Sequence, residues 1–331
     1  MRPTLAITGA TGFVGKRLCE MALAAGYSVR ALGRNFSGFH LDSARCTRWP
    51  VALSDRAGLG LAFNDVDAVI HVAALSSPWG LRRDFFEVNV VGTRHVITAA
   101  TQARVRRVVH CSSASVAFGD RDGFDLDESS PLPRRYLAAY CESKALAEAV
   151  VRAAGGVEWC IVRPRGVFGP GDTSILPRLV ARARSGRLRV IGDGQNIQDI
   201  TYVDNCAAAL LRAAEAEAAH GQCYFISNGA PVALWPFLTE CLRGVGAPLP
   251  RGRVPYAVAL RAAALYEALA ERVTALGEPP LTPYTVSILA RSQTVNISKA
   301  QAQLGYRPEV NLGDGLARTI DWFNQQGKVV T

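Results

Sequence analysis

The segment LAITGATGFVGKRL, residues 5–18, joins a short apolar run to a helical pattern through Gly9, Gly12 and Gly15. In a strand–loop–helix unit, the first glycine makes the tight turn and the second lets a pyrophosphate approach the backbone. The third lets the helix pack close to the strand, and free N–H groups at the helix start face the anion. The spacing is G-x-x-G-x-x-G rather than the standard G-x-G-x-x-G. With a strand before it and a helix after it, the segment predicts a dinucleotide-binding loop.

Short apolar runs alternate with helical patterns through the first half of the chain. Strands are predicted at 4–8, 27–32, 67–73, 107–113 and 158–164, and helices at about 13–25, 83–102 and 136–154. Strands separated by helices of about ten or more residues indicate a parallel sheet with helices on both faces. Right-handed crossovers then give a doubly wound sheet. The predicted fold class is therefore α/β, a Rossmann-type doubly wound parallel sheet with a smaller, mostly helical C-terminal substrate region.

The composition changes after Pro164, where glycine and proline cluster in RPRGVFGPGDTSILP. Helical patterns follow at about 203–219, 233–243, 255–273 and 283–290. We expect residues 1–165, with about 199–226, to form the dinucleotide-binding domain. About 166–198 and 227–331 are expected to form the substrate-binding region.

The composition is that of a soluble globular protein, with 49% of the 331 residues hydrophobic and 20% charged. The net charge of +9 comes almost entirely from scattered arginines, so we expect no nucleic-acid partner. No two of the eight cysteines have metal-ligand spacing, which predicts no metal site and fits reduced thiols in the cytoplasm. The N-terminus enters a strand at once, which leaves no room for a signal peptide. No apolar run reaches the roughly 18 residues of a membrane span.

The most apolar segment is VPYAVALRAAALYEALA, residues 254–270. It contains Arg261 and Glu267 and is typical of an amphipathic helix. We expect it to pack over a pocket rather than to lie on a membrane. Together with the aromatic residues of WPFL, residues 235–238, it favours a hydrophobic small-molecule substrate.

The end of the second predicted strand bears on the choice of cofactor. An acidic residue there would bond the adenosine ribose hydroxyls, but the sequence is VRALGRN, with Gly33 and Arg34 at that place. An arginine can take a 2′-phosphate instead. Arg30 and Arg34 therefore favour NADP(H), with NAD(H) as the other possibility. Asp55, in VALSDRAG, is a candidate neighbour of the adenine.

Tyr140 and Lys144, in YCESK, are four residues apart and so share one face of a predicted helix. A free tyrosine has a pKa of about 10 and is a poor acid–base catalyst at neutral pH. A fixed cation nearby favours the phenolate and lowers that pKa. Taken alone, the pair is a common feature of helix surfaces. Next to a bound dinucleotide, it predicts a proton donor and the cation that tunes it.

Polar side chains near the ends of other predicted elements could complete such a site. Ser112, Ser113 and Ser115 lie at the carboxyl end of a predicted strand, where a parallel sheet borders its ligand crevice. A hydroxyl there can bond a substrate oxygen, so all three are candidates. Asn89 lies in the preceding predicted helix. Its amide either bonds solvent or backbone, or holds a water in a proton relay behind the lysine.

The order and spacing of six motifs resemble the extended short-chain dehydrogenase/reductase family over the whole chain. These motifs are TGATGFVG, IHVAA, NVVGT, SSASV, YCESK and RPRGVFGPGD. Within that family, HVAALSSPW, IGDGQNIQDITYVDN and GEPPLTPYTVSILARSQTVNISKAQAQLGYRP resemble the 3β-hydroxysteroid dehydrogenase branch. That branch includes sterol-4-carboxylate 3-dehydrogenases and bacterial reductases of long-chain 2-alkyl-3-ketoacids.

The resemblance implies catalytic roles for Ser113, Tyr140, Lys144 and Asn89, with Ser112 as the alternative to Ser113. The cofactor-binding residues that it implies are Thr8, Gly9, Thr11, Gly12, Phe13, Val14, Gly15, Arg34, Ala73, Ala74, Tyr140, Lys144, Pro164, Gly166 and Val167. The family often has an aspartate near the adenine after its third strand. Here Ala52 stands in that place.

The function implied is an NAD(P)(H)-dependent oxidoreductase that interconverts a ketone and a secondary alcohol on a bulky hydrophobic substrate. The implied substrates are of the 3β-hydroxysteroid or long-chain 2-alkyl-3-ketoacid type. Tyr140 would protonate the alkoxide formed by hydride transfer, Ser113 would orient the carbonyl oxygen, and Lys144 would hold the ribose and tune the phenol. The alternative is a nucleotide-sugar epimerase on the same scaffold. Its candidate diphosphate ligands would be Arg178, Arg182 and Arg187.

Two other functions fit the motifs less well. Dehydratases of the family place Asp-Glu directly after the catalytic hydroxyl residue, where this chain has Ala114 and Ser115. Redox sensors on this scaffold commonly lack the Tyr–Lys pair. The resemblance also implies a homodimer in which the helices near 83–102 and 136–154 pair across a two-fold axis.

Overall fold

The computed structural model describes residues 3–41, 43–173, 175–273 and 277–329. Its strands are β1 Thr4–Thr8, β2 Ser28–Gly33, β3 Cys46–Pro50, β4 Ala68–His71, β5 Arg107–Cys111, β6 Gly123–Leu126, β7 Glu158–Pro164, β8 Val167–Phe168, β9 Val190–Ile191, β10 Ile197–Gln198, β11 Thr201–Tyr202, β12 Gln222–Ile226, β13 Val232–Ala233, β14 Arg253–Val254 and β15 Gln293–Val295. Its helices are α1 Phe13–Ala24, α2 Arg56–Phe63, α3 Arg82–Phe85, α4 Gly92–Gln102, α5 Ala139–Arg152, α6 Ile175–Arg184, α7 Val203–Glu215, α8 Leu234–Gly244, α9 Tyr256–Arg272, α10 Pro283–Ala290, α11 Ser298–Leu304 and α12 Leu312–Val329.

The central sheet of the described chain has seven strands in the order β12–β7–β5–β4–β1–β2–β3. All neighbouring strands in it pair in parallel. The chain runs outward in one direction from β1 to β3 and in the other from β4 to β12. The order therefore reverses between β1 and β4, and a ligand crevice is expected at the carboxyl ends of these strands. The predicted α/β fold with a Rossmann-type parallel sheet is confirmed.

Helices cover both faces of this sheet. Because successive strand residues point to opposite sides, each strand contributes side chains to two cores. Val109 of β5 packs in one core with residues of α1 and α7, such as Leu18 and Leu210. Its neighbour Val108 packs in another core with residues of α2, α4 and α5, such as Phe63. Burial on both faces explains why the strand segments are continuously apolar rather than alternating.

The predicted helix near 83–102 is interrupted in the structure. A π-helical turn, Phe86–Val91, separates α3 from α4 and contains the buried Asn89. Such turns accommodate an extra residue and often lie at functional sites. The apolar periodicity did not indicate this turn, because a single wider turn shifts the pattern by only one residue.

A separate apolar core lies between α6, α8, α9 and α10 and includes Trp235, Val180 and Leu242. In α9, Ala259, Ala263 and the partly buried Leu260 face this core, whereas Leu265 and Leu269 are exposed by 65% and 46%. One face of α9 thus packs on the core and the other carries exposed leucines, and its role as cover over a substrate pocket stays a prediction. None of the helices in the described ranges combines the length and hydropathy needed to cross a membrane.

Candidate active site

The glycine loop has the shape that a pyrophosphate needs. Gly9 has a φ of +69°, and a Cβ on it would lie 2.7 Å from the backbone of Ala73. A Cβ on Gly15 would lie 2.0 Å from the carbonyl oxygen of Gly9, so the start of α1 packs directly on the turn. Gly12 precedes α1 and provides no side-chain cap. The first N–H groups of helix α1, on residues such as Phe13 and Val14, thus remain available to an anion. The residues present therefore fit a dinucleotide.

A chain of hydrogen bonds runs beneath this loop from Thr8 to the π-helical turn. The backbone N–H of Ala73 donates to Thr8 Oγ1 at 3.2 Å, and Thr8 Oγ1 lies 2.7 Å from His71 Nδ1. His71 Nε2 lies 3.0 Å from Thr93 Oγ1, which donates to the carbonyl oxygen of Asn89 at 2.6 Å. Since Thr93 gives its only proton to that carbonyl, His71 carries its proton on Nε2 and accepts from Thr8. Burial lowers the pKa of His71 to about 3, which keeps this relay neutral.

Asn89 uses its side chain to join the loop after β4 to helix α5. Its Oδ1 accepts from the Leu75 N–H at 2.7 Å, and its Nδ2 donates to the Leu75 carbonyl at 3.1 Å. The same Nδ2 donates to Ser143 Oγ at 2.9 Å, and that hydroxyl donates to the Tyr140 carbonyl at 2.8 Å. Both amide N–H groups are thus engaged by protein atoms. Of the two roles open from the sequence, the structure shows the side chain bonding the backbone.

Tyr140 lies at the start of α5, where its phenol meets two serine hydroxyls. Burial raises the pKa of Tyr140, while hydrogen bonds with Ser113 and Ser76 act in the opposite direction. The rings of Phe85 and Tyr284 each lie 6.4 Å from the Tyr140 ring, measured between centroids. Tyr284 is positioned by α10, whose preceding residue, Thr282, caps the helix and accepts from the Thr285 N–H. Two aromatic rings thus flank the acid–base candidate.

Lys144 lies one turn further along α5 and is 2% exposed. Its Nζ donates to the carbonyl oxygen of Cys111, the last residue of β5, at 2.7 Å. Burial lowers the pKa of Lys144, and the nearby Cys111 and Glu148 oppose that shift. The largest effects that lower the Tyr140 pKa come from the two serines rather than from this ammonium. The tuning of the phenol by Lys144 that the spacing suggests stays a prediction.

The three candidate serines have different partners. Ser112 donates to the buried carboxylate of Glu148 at 2.6 Å, away from the phenol. Ser113 Oγ accepts from the Ser115 N–H at 3.2 Å and lies close enough to the Tyr140 phenol to lower its pKa. The Ser115 hydroxyl lies beside Cys141 and Tyr284. Of the three, Ser113 is thus the one whose hydroxyl meets the phenol.

The two arginines near the second strand, Arg30 and Arg34, have different surroundings. Arg34 follows β2 directly and is exposed, at the carboxyl edge of the sheet. Its neighbour Gly33 lies against the side chain of Thr11 in the glycine loop. Arg30, by contrast, lies in the middle of β2 and donates to the carbonyl oxygens of Ala62 and Asn64 at the end of α2. The prediction that Arg30 helps to select the cofactor is therefore wrong, because its side chain is bonded to the end of α2, away from the carboxyl edge of the sheet.

Other predicted cofactor residues lie at the same edge. Asp55 caps α2 and accepts from the Gly58 N–H at 2.9 Å, so its carboxylate serves the helix start. Pro164 ends β7, and Gly166 has a φ of +49° and accepts from the Thr201 N–H at 3.1 Å. Val167 pairs with Thr201 in the β8–β11 ladder. Ala73 and Ala74 follow β4 within the same crevice.

The sequence assigned no role to two residues that the structure brings to Tyr140, namely Ser76 and Tyr284. Arg165 lies between the predicted cofactor residues Pro164 and Gly166, and its charge acts on Cys141, the residue after Tyr140. Ser76 could have been expected from its place just after a strand end. Of the arginines considered for an epimerase, Arg178 pairs with Glu278 at 3.0 Å on the surface.

Comparison with known proteins shows the family of this chain. The pattern of the 3-beta hydroxysteroid dehydrogenase/isomerase family matches residues 6–256. A 2-alkyl-3-oxoalkanoate reductase of Stenotrophomonas maltophilia is 36% identical over 321 residues, which cover 94% of this chain and 97% of that protein. The decarboxylating sterol-4-alpha-carboxylate 3-dehydrogenase of Mus musculus is 31% identical over 334 residues, covering 97% and 91%.

Among solved structures, a double mutant of the dTDP-glucose 4,6-dehydratase of Streptomyces venezuelae with NAD bound is similar. It superposes with a TM-score of 0.78 at 25% identity, covering 99% of this chain and 98% of that one. The dehydratase has the same fold as this chain. The chain therefore belongs to the 3-beta hydroxysteroid dehydrogenase/isomerase family, a branch of the NAD(P)-dependent oxidoreductases of the extended short-chain type.

Proposed function

We propose that this protein interconverts a ketone and a secondary alcohol on a hydrophobic carboxylic acid, with NADP(H) as its preferred cofactor. The observation that carries the proposal is the meeting of the Tyr140, Ser113 and Ser76 hydroxyls at the carboxyl edge of the sheet. In this proposal, residues 1–165 and 199–226 bind the dinucleotide, and residues 166–198 and 227–331 bind the substrate.

Each side chain of the site has a separate role in the reaction. A bound nicotinamide supplies or accepts the hydride. Tyr140 gives its phenolic proton to the substrate oxygen in reduction and takes a proton back in oxidation. The Ser113 and Ser76 hydroxyls, which lie near the phenol and lower its pKa, hold the substrate oxygen beside it. Lys144, bonded to the Cys111 carbonyl at 2.7 Å, has further N–H groups to offer to ribose hydroxyls.

The preference for NADP(H) rests on Arg34. Its guanidinium is exposed directly after β2, and no acidic side chain of the described residues forms an ion pair with it. A 2′-phosphate carries the negative charge that such a group binds through charge-assisted hydrogen bonds. The neighbouring contact of Gly33 with Thr11 keeps this arginine close to the glycine loop.

The class of substrate follows from what two relatives share. A 2-alkyl-3-oxoalkanoate has its ketone on the carbon next to the one that bears the carboxylate. A sterol-4-carboxylate oxidised at carbon 3 has the same arrangement. Both substrates also carry a large hydrocarbon. We therefore propose a 2-substituted 3-oxoacid, or the corresponding 3-hydroxyacid, as the substrate of this protein.

We also propose that the protein is a homodimer through α4 and α5. These helices lie side by side on one face of the sheet, and Leu146 of α5 is 40% exposed there. An exposed apolar side chain on such a helix pair supports burial against a second copy. Light scattering on the purified protein would measure the mass directly.

A substrate panel tests the function. The purified protein would be mixed with NADPH or NADH and a 2-alkyl-3-oxoacid, a 3-ketosteroid or a UDP-sugar, and the nicotinamide absorbance followed. We expect oxidation of NADPH with the hydrophobic ketones and the highest kcat/KM with the ketoacid. Conversion of UDP-sugars alone, or no oxidation with any ketone, would refute the proposal.

A further inference from the structure

Two buried arginines at the end of β7, Arg163 within the strand and Arg165 directly after its last residue, have very different partners. Arg163 is 3% exposed and donates to both carboxylate oxygens of Glu148, at 2.8 Å and 2.7 Å. Arg165 is 6% exposed, and its Nη2 donates to the side-chain oxygens of Gln198 and Gln293. Its Nε has no hydrogen-bond partner among the described residues. One buried guanidinium is thus neutralised, and the other is bonded only to neutral amides.

The guanidinium of Arg165 has no direct ion-pair partner among the described residues. No carboxylate oxygen in the described ranges lies within 4.0 Å of its guanidinium, whose nearest aromatic neighbour is Phe118 at 5.3 Å. An arginine stays protonated in proteins, and an unpaired buried charge is unfavourable unless something supplies the opposite charge. Asp199 acts on Arg165 through its charge, but no ion pair within 4.0 Å joins the two side chains, and burial raises the pKa of Asp199. A direct ion-pair partner for Arg165 is therefore expected from outside the chain.

The position of Arg165 connects it with the catalytic hydroxyls. Cys111 is in register with Val162, and the Ser112 N–H donates to the Val162 carbonyl at 2.7 Å. The chain after Ser113 forms the 3-10 turn Ala114–Ala117, and the guanidinium of Arg165 lies 5.3 Å from the ring of Phe118, the residue that follows this turn.

The neighbours of Arg165 also include residues on the substrate side of Tyr140. Its charge acts on the thiol of Cys141, the residue after Tyr140, and on the phenol of Tyr284. The Tyr284 ring in turn lies 6.4 Å from the Tyr140 ring. Gln293 belongs to β15, in the part of the chain assigned to the substrate. Arg165 is thus positioned to meet a group close to the reacting carbon and on the substrate side.

We propose that Arg165 binds the carboxylate of the substrate while Tyr140 and Ser113 bind the oxygen on the neighbouring carbon. The inference rests on the proposed function and makes Arg165 its specificity-determining residue. It also explains the paired glutamines, whose oxygens hold the guanidinium in place without neutralising it. The guanidinium would then favour acids over neutral ketones of the same shape.

The test compares an acid with its own ester. Oxidation of a 2-alkyl-3-hydroxyacid and of its methyl ester would be measured with NADP⁺ for the wild type, Arg165→Met and Arg165→Lys. We expect Arg165→Met to lower kcat/KM for the acid about 100-fold, as for loss of one partner of a buried charge pair. The ester should change by less than about threefold, since it brings no charge. Arg165→Lys should recover part of the activity on the acid, because it keeps the charge.

Binding without turnover separates this inference from the function itself. In a Tyr140→Phe background, calorimetry would measure the Kd of the hydroxyacid with and without Arg165→Met. An approximately 100-fold weaker Kd for the acid alone supports the inference even if no substrate is turned over. If the hydroxyacid binds with the same Kd with and without Arg165→Met, or if acid and ester lose binding equally, the role of Arg165 is overturned. The oxidoreductase assignment would stay intact.

A purely structural role for Arg165 makes a different prediction. If it mainly joins Gln198 to Gln293, Arg165→Met should lower the Tm of the ligand-free protein and weaken acid and ester alike. If Arg165 instead has no counter-charge until a ligand binds, removal of this unpaired buried cation should leave the Tm unchanged or higher. A lower Tm together with lost ester turnover would therefore count against carboxylate binding.

Discussion

The Lys144 ammonium donates to the Cys111 carbonyl oxygen at 2.7 Å, which ties helix α5 to the end of strand β5. The chain continues from Cys111 through Ser112 to Ser113, whereas Tyr140 lies one turn before Lys144 on the same helix. A single buried side chain thus joins the two elements that carry the catalytic hydroxyls. This bond helps to hold Tyr140 and Ser113 at a constant separation before any ligand binds.

Tyr140→Phe tests the acid–base role. Removing the proton donor should lower kcat by about 10²–10⁴-fold, the usual contribution of general acid–base catalysis. The Kd for NADPH, measured by fluorescence titration, should stay within about twofold, because the phenol is not part of the glycine loop. Tyr136→Phe, a hydroxyl removed just before α5, is the matched control and should keep its activity. Normal turnover by Tyr140→Phe would rule out this mechanism.

The pH dependence of alcohol oxidation should report the Tyr140 phenol. Oxidation uses the phenolate, so its rate rises as pH passes upward through the Tyr140 pKa, which burial raises above 10. The Ser113 and Ser76 hydrogen bonds lower that pKa, so Ser113→Ala or Ser76→Ala should move the midpoint to higher pH. Ser115→Ala, whose hydroxyl lies beside Cys141, should leave the midpoint in place. If the midpoint is unchanged in Ser113→Ala and in Ser76→Ala, a group other than the Tyr140 phenol titrates.

Local spacing explains which parts of the site could be predicted. The glycine loop and the Tyr140–Lys144 pair each lie within seven residues of sequence, and helix periodicity alone puts the pair on one face. Contacts made by tertiary packing carry no such signal, as with Arg165 and Gln293, which are 128 residues apart. Arg30 was misjudged for a related reason. Its place in the middle of β2 lets it reach the end of α2, which strand periodicity does not reveal.

Arg34→Ala tests the choice of cofactor. Loss of a charge-assisted bond to the 2′-phosphate should weaken NADPH binding about 10–100-fold, whereas NADH binding should hardly change. Arg45→Ala is the control, because this exposed arginine precedes β3 at the opposite, amino-terminal edge of the sheet. Titration of each variant with both cofactors gives the ratio of Kd values. An equal loss for NADPH and NADH would remove Arg34 from cofactor discrimination.

Gly15→Ala tests the close packing of α1 on the glycine loop. The new Cβ would lie 2.0 Å from the Gly9 carbonyl oxygen, so the turn must shift and NADPH binding should be lost. Gly60→Ala is a matched control in α2, where an added Cβ meets nothing within 4 Å. That control should bind NADPH normally and gain about 0.5–1 kcal/mol of unfolding free energy, since alanine is the better helix former. Normal NADPH binding by Gly15→Ala would contradict this account of the loop.

Glu148 should make stability depend on pH in the acid range. It is 0% exposed and accepts from Arg163, from Ser112 at 2.6 Å and from Arg152 at 2.8 Å. Burial alone would raise its pKa, but the bonds with Arg163 outweigh burial, and the folded pKa lies below the usual 4.5. A lowered folded pKa means that this carboxylate stabilises the fold above the unfolded pKa. That contribution is lost as pH falls through the folded pKa.

Glu148→Gln removes this charge and leaves Arg163 buried beside a neutral amide. At pH 7 the variant should lose about 3–5 kcal/mol of unfolding free energy, the typical result of breaking a buried pair from one side. Below the usual carboxyl pKa the wild type loses the same stabilisation, so urea unfolding should show the two proteins converging as pH decreases. Glu20→Gln, which removes a partly exposed partner of Arg17, should change stability by less than about 1 kcal/mol at either pH. A difference between wild type and Glu148→Gln that stays constant down to low pH would mean that packing, not charge, accounts for the role of Glu148.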